Sequence, residues 1–290
     1  MATVGDQLKE PEVGWRRYDD THIGLKYTGT WTTPSPSNTG YYGGSIRVTS
    51  RAVDNNYVTF SFFGTKLRVI SDFYEHRHSD NAITIDGVTE TYSAFRAVGS
   101  PSLQQSIVYE KTGLPLAFHT VTIATGHNRI NFTLDAIDID ETGYLSGYAL
   151  TAPETGWRRH DNKDSKLTYT GTWGTWVSTS YYSGEVTASN VVGSKAKFVF
   201  KGTKLRIIDE RHTNRSKVSK VTIDGVSEVL ENYGAQLQQT LAYEKTGLVD
   251  DVHYVEVEIM DANYVGIDAI DIDDTGYLLA QVGQQLTAPK

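Results

Sequence analysis

Cysteine is missing from all 290 residues, which excludes disulfides, thiolate zinc sites and thiol nucleophiles together. The fold must be held by burial and hydrogen bonding alone, a composition that suits synthesis in a reducing cytoplasm. Basic charge is in deficit, with 27 Lys and Arg against 35 Asp and Glu and a formal charge of −8. Binding to phosphate backbones needs the opposite balance, so no nucleic acid partner is expected. No apolar run approaches the roughly 18 residues that would cross a bilayer, and no basic amphipathic stretch could lie on one. No membrane partner is expected either. Met1 to Glu10 lacks the apolar centre of a secretory signal, so the expectation is export without a signal peptide.

What the chain does have is 18 Tyr and 26 Gly beside only two Met, a composition of strands and tight turns. Stretches with a 3.6-residue period and proper caps are hard to find. The fold class read from this is all-β.

The chain is also internally duplicated. Gly14-Trp15-Arg16-Arg17 returns as Gly156 to Arg159, and Tyr27-Thr28-Gly29-Thr30-Trp31 as Tyr169 to Trp173, both at an offset of 142. Gly64-Thr65-Lys66-Leu67-Arg68 returns at Gly202, Thr84-Ile85-Asp86-Gly87-Val88 at Thr222, and Leu103-Gln104-Gln105 at Leu237. Tyr109 to Leu114 returns at Tyr243, and Asp135 to Asp140 returns at Asp268, where the offset has fallen to 133. Every lost residue falls between matched blocks, so the blocks are read as strands and the gaps as surface loops. The expected domains are a first module at 1–148 with its lead-in, a second at 149–281, and a linker-like stub at 282–290. Short lead-ins resemble one another: Val4 to Leu8, Ala149 to Pro153, and Val282 to Pro289, which reads as the start of a third module.

Alternation gives the strand faces. Val58, Phe60 and Phe62 share one side, as do Phe198 and Phe200, and so do His253, Val255, Val257 and Ile259. The Asp86-Gly87 and Asp224-Gly225 pairs between short apolar runs predict hairpins. Strands with turns at this spacing predict two packed antiparallel sheets per module. The ordered set Tyr-Thr-Gly-Thr-Trp, Tyr-Tyr-x-Gly, Phe-x-Phe-x-Gly-Thr-Lys-Leu-Arg, Ile-Asp-Gly-Val, Tyr-Glu-Lys-Thr-Gly-Leu and Asp-Ala-Ile-Asp-Ile-Asp runs through both copies. It resembles the galactose-binding-like jelly-roll modules of phage tail and surface proteins and of glycoside hydrolases. The resemblance implies two tandem antiparallel β-sandwich domains of that kind and a carbohydrate ligand. It bears on fold more than on function, since such modules also serve architectural roles.

His119 with Asp135, and His253 with Asp268, share inward faces and are expected to satisfy one another structurally rather than catalyse. No Ser sits in a strained elbow, and no acid pair is marked out for glycoside hydrolysis, so no catalytic residue and no enzyme activity is expected. Asp138, Asp140 and Glu141, with Asp271, Asp273 and Asp274, could suit the structural calcium that the resemblance implies, but they lack a dedicated calcium-loop spacing. No cofactor is expected, with calcium left open. His76-Arg77-His78 keeps only His212 in the second copy, so a metal reading is set aside.

Aromatics are the better lead, because flat rings stack on the C–H faces of sugars. The candidate ligand-binding set is Trp31, Tyr41, Tyr42, Phe73, Tyr74, His76, Trp173, Trp176, Tyr181, Tyr182 and Arg211. Those kept in both copies also suit packing at the sandwich rim. Trp176, Phe73 and Tyr74 occur once each, in loops that differ between copies: 32–40 against 174–180, and 72–81 against 209–219. The function read from all this is a non-catalytic carbohydrate-binding or adhesion protein, a phage virion component that recognises host-surface glycans. The alternatives are an architectural virion or decoration protein, or the binding arm of a larger glycan-degrading enzyme. Expected partners are a cell-surface polysaccharide and other virion proteins, with a homo-oligomer left open. The expected location is a virion or extracellular surface.

Overall fold

The computed structural model describes residues 1–33, 40–49, 56–124 and 131–280. The stub at 282–290 and most of the 32–40 loop lie outside the described residues.

The chain divides into two compact units, Met1–Leu145 and Ser146–Lys290. In the first, a four-stranded sheet runs in the order Trp15–Asp19, Ala136–Asp140, Leu67–Phe73, Leu103–Lys111. Its partner sheet runs Tyr144–Ser146, Tyr57–Gly64, Ala117–Ala124, Asn81–Ile85, Val88–Tyr92, with Lys26–Thr28 also paired to Tyr57–Gly64. A three-stranded sheet of Thr133–Leu134, Arg47–Thr49 and Trp31–Thr32 closes one end. The second unit repeats this plan around Leu205–Arg211 and Lys195–Gly202. The strand pairings are antiparallel. The protein is therefore two tandem antiparallel β-sandwiches.

The alternating strands bury the faces read from the sequence. Val58 and Phe62 are fully buried, and Phe198, Phe200, Val255 and Val257 meet Leu205, Ile207, Ile270 and Ile272 across the second sandwich. Each such side chain contributes about 1.5–3 kcal/mol by leaving water. Asp86-Gly87 and Asp224-Gly225 form the two-residue hairpin turns, with φ near +50° at both Asp and +84° to +85° at the glycines. Such a turn needs two left-handed residues, which Asp and Gly supply at least cost.

The lead-ins have a physical role. Leu8 N–H donates to the Gln105 carbonyl and Leu150 N–H to that of Gln239, each at 2.6 Å. The guanidinium of Arg17 then donates to the Leu8 carbonyl, and that of Arg159 to the Leu150 carbonyl, both at 2.8 Å. Residues 149–150 thus dock on the second unit as residues 7–8 dock on the first.

The histidine partners differ from the sequence expectation. His119 Nδ1 meets Asp86 at 2.6 Å and Nε2 the Pro115 carbonyl at 2.9 Å; His253 does the same with Asp224 and Val249. Asp135 and Asp268 instead accept the backbone N–H of Tyr42 and Tyr182 at 2.9 Å. The histidines do serve structure, but their acid is the hairpin Asp, brought near because the turn folds back over the neighbouring strand. Burial lowers the His253 pKa, while hydrogen bonds to Asp224 and Val249 more than offset this and raise it. That stabilisation is full below the unfolded pKa of His and lost as pH rises through the folded one. Asp224→Ala should therefore cost about 1–3 kcal/mol. The loss, read by urea unfolding, should be larger at pH 5.5 than at pH 8; an equal loss at both would show that the imidazolium form plays no part.

Candidate ligand-binding site

In the second module, the strand Leu205–Arg211 turns successive side chains to opposite faces. Asp209 is driven inward and is fully buried, its two oxygens accepting the N–H groups of Glu210 at 2.6 Å and Gly266 at 3.0 Å. Burial pushes its carboxyl above the usual range, against the pull of Arg215 and of these N–H groups. Glu210 points the other way, into a cavity of about 280 Å³, close to the lower end of small-ligand pockets. Trp176, Tyr181, Arg215, Gln236 and Tyr264 line it with Glu210.

Arg215 is 6% exposed. Its Nε donates to the Glu210 carbonyl at 2.7 Å and its Nη2 to Glu210 Oε2 at 2.8 Å. Its Nη1 makes no hydrogen bond to a described residue. Tyr181 Oη donates to Glu210 Oε2 at 3.0 Å, and Gln236 Nε2 to Oε1 at 2.8 Å. Trp176 stands edge-on to Tyr264 with centroids 5.5 Å apart, and remains 42% exposed. Gly174 makes room for that ring, since a Cβ there would lie 2.9 Å from the indole. His212 and Asn214 also reach the cavity and bond to each other at 2.8 Å. An aromatic corner beside a buried guanidinium–carboxylate pair can hold a polar ring: apolar C–H faces against the indole, hydroxyls on the ion pair.

The loop that positions Tyr181 is tied down by the Leu-Gln-Gln repeat. Gln239 sits in a bulge with φ of +50° and donates to the Ser180 carbonyl at 2.9 Å. Gln105 in the first module, also at φ +50°, does the same to Gly40 at 3.0 Å. Bulges re-aim side chains beside functional sites.

The first module has a counterpart ion pair. Arg77 grips Asp72 through Nε and Nη2, both at 2.7 Å, and Tyr41 Oη reaches Asp72 at 3.2 Å. Strand Leu67–Phe73 aligns with Leu205–Arg211, so Asp72 corresponds to Glu210 and Arg77 to Arg215, one residue out of step with the pairing of 72–81 with 209–219. An acid followed five residues later by Arg is present in both copies, a signal the sequence carries once the strands are in register. Gln236 and Tyr264 gave no such signal.

Of the sequence candidates, Trp176 and Tyr181 line the cavity together. Tyr41 occupies the equivalent place in the first module. Trp31 and Trp173 lie instead against Tyr27 and Tyr169, at 4.8 and 5.1 Å, with their indole N–H groups on the Thr28 and Thr170 carbonyls. Tyr42 and Tyr182 cover the guanidinium groups of Arg17 and Arg159. Tyr74 stacks near Arg77 and edge-on to His76, whose side chain is 52% exposed. Phe73 pairs with Leu103 in the sheet, and Arg211 donates to the Tyr233 carbonyl, neither one at the cavity.

The clustered acids do not fit calcium. Asp138 and Asp271 are each gripped at two oxygens by Arg17 and Arg159. Asp140 and Asp273 accept three donors apiece from the Thr65–Lys66 and Thr203–Lys204 turns. Such filled carboxylates cannot also offer a cation several oxygens, and no metal-ligating cluster occurs among the described residues.

No family model matches the chain. Over 264 residues it is 26% identical to the A type blood alpha-D-galactosamine galactosaminidase of Flavonifractor plautii, covering 90% of this chain and 22% of that protein. Over 98 residues it is 31% identical to the A type blood N-acetyl-alpha-D-galactosamine deacetylase of the same organism, covering 33% of this chain and 13% of that protein. The chain thus spans under a quarter of the length of either relative. Among solved structures, a Paenibacillus xanthan lyase overlays with a TM-score of 0.31 and 16% identity over 91% of this chain and 26% of its own. A carbohydrate esterase from Cellvibrio japonicus gives 0.34 and 17% over 43% and 36%. At those scores the overlays carry no weight, and the architecture stands on its own strand pairing.

Proposed function

We propose that this chain is a non-catalytic glycan-binding unit that serves as the binding arm of a larger glycan-active protein. The observation that carries the reading is Arg215: a buried guanidinium with an unused nitrogen, in a cavity whose rim is an exposed tryptophan. That nitrogen is not among the buried unpartnered atoms of the described residues, so it is open to water in the cavity and can donate to a ligand acceptor at little desolvation cost. The two relatives supply the ligand class, since both are named for galactosamine-containing substrates. Non-catalysis belongs to the same reading. Hydrolysis of a glycoside needs two carboxyls facing across the scissile bond, whereas Asp209 and Glu210 point to opposite faces of one strand. The virion setting draws no support from either relative, and an extracellular glycan-degrading setting is preferred to it.

The test is a glycan array probed with the intact chain, followed by calorimetric titration of the hits. Trp176→Ala should weaken binding about tenfold or more with unchanged thermal unfolding, because the ring is half in solvent. Retention on no glycan at all would leave the architectural reading in its place.

A further inference from the structure

We infer that the second module alone takes a saccharide at this site, and that the replacement of Ser71 and Thr133 by Asp209 and Gly266 decides it. The inference rests on the glycan-binding reading above and concerns the same cavity.

In the first module the carboxylate is closed from within. Asp72 is 1% exposed. Its Oδ1 accepts Arg77 Nε at 2.7 Å and Thr133 Oγ1 at 2.8 Å; its Oδ2 accepts Arg77 Nη2 at 2.7 Å and Tyr41 Oη at 3.2 Å. Thr133 is fixed in turn by Ser71 Oγ at 2.7 Å. A ligand hydroxyl would have to expel one of these donors and leave it unpaired, which is costly in a buried place.

The second module dismantles that closure in one linked exchange. Asp209 stands where Ser71 does, and its carboxylate fills the space beside residue 266, so that a Cβ on Gly266 would collide with Asp209 Oδ1. Residue 266 must then be glycine, and the hydroxyl that Thr133 gives to Asp72 is gone. Glu210, one methylene longer than Asp72, turns Oε1 outward instead. There, among the described residues, it is met only by side-chain amides: Gln236 at 2.8 Å and Gln238 at 3.4 Å. Gln236 is exposed, so it can return to water with little loss when a ligand arrives. Beneath, Asp209 Oδ2 lies 3.4 Å from Arg215 Nε, which steadies the guanidinium and keeps Nη1 available. One ion pair then offers an acceptor and a donor, which suits two neighbouring hydroxyls of a neutral pyranose. Gln236 is the stand-in for the first of them.

The experiment titrates the intact chain with a saccharide identified on the array. One site per chain is expected. The exchange Asp209→Ser with Gly266→Thr restores the first module's hydroxyl pair and should lower affinity roughly tenfold or more. Gln236→Ala removes the amide that competes for Glu210 Oε1 and should raise affinity. Two sites per chain, or an affinity in Gln236→Ala no higher than in the parent, would overturn the inference while leaving the glycan-binding reading standing. Failure of the chain to bind any saccharide would remove both.

Discussion

Arg17→Ala is expected to destabilise the first module by about 3–5 kcal/mol, the usual consequence of stripping one partner from a buried ion pair. Both side chains are fully shielded, with Arg17 Nε on Asp138 Oδ1 at 2.6 Å and Nη2 on Oδ2 at 2.8 Å. Alanine would leave a carboxylate inside the sandwich with its main donor gone. It would also release the lead-in, since Arg17 Nη1 holds the Leu8 and Lys9 carbonyls at 2.8 and 3.2 Å. Arg159→Ala should do the same to the second module, where Asp271 and Leu150 take the equivalent places. Urea unfolding measures the effect. Removing both charges, as Arg17→Met with Asp138→Leu, should recover most of the loss, because a buried ion pair roughly balances its own desolvation. A single-variant cost below about 1 kcal/mol, the range of exposed pairs, would mean that water reaches Asp138 and that the burial argument fails.

Stability should also fall as pH rises from about 4 to 8. Burial pushes the Asp135 carboxyl up to about 8 and that of Asp268 up to about 7, against the lowering effect of the Tyr42 and Tyr182 N–H bonds. Each keeps one buried oxygen without a partner among the described residues. Between pH 3.8 and these values the folded state holds a proton that the unfolded chain has released. The unfolded state is therefore favoured as pH climbs through that window, and the loss levels off above it. The slope for one such group is at most about 1.4 kcal/mol per pH unit. Asp135→Asn removes the titration and keeps an oxygen for the Tyr42 N–H, so it should flatten the decline and raise the melting temperature at pH 8 by several degrees. Parallel pH profiles for the variant and the parent would show that Asp135 ionises normally.

Much of the fold was legible because its determinants are local. Strand alternation is a two-residue period, so Val58, Phe60 and Phe62 disclose their face without any knowledge of what they pack on. A two-residue turn needs left-handed backbone, so Asp86-Gly87 announces itself. Duplication added a comparison that no single module provides, and it singled out Trp176 as an aromatic present in only one copy.

The site was legible in part. Trp176 and Tyr181 were named; Glu210, Arg215, Gln236 and Tyr264 were not. Local periodicity could not decide whether Asp209 or Glu210 faces the cavity, because that depends on which sheet covers the other side. Nor could it show that the Gln239 bulge fixes the Ser180 loop, a contact across 59 residues of chain. Histidine showed the same limit: sequence parity predicted a buried, structural His253, while only the folded-back hairpin made Asp224 its partner rather than Asp268. The amino-acid sequence by itself determined the repeated all-β modules and the inward faces of their strands, since those follow from backbone sterics and the burial of alternate residues. Tertiary structure decided which acid meets which base and which carboxylate is left open to a ligand. Those pairings are set by sheet register over long separations, where a shift of one residue reverses every side chain.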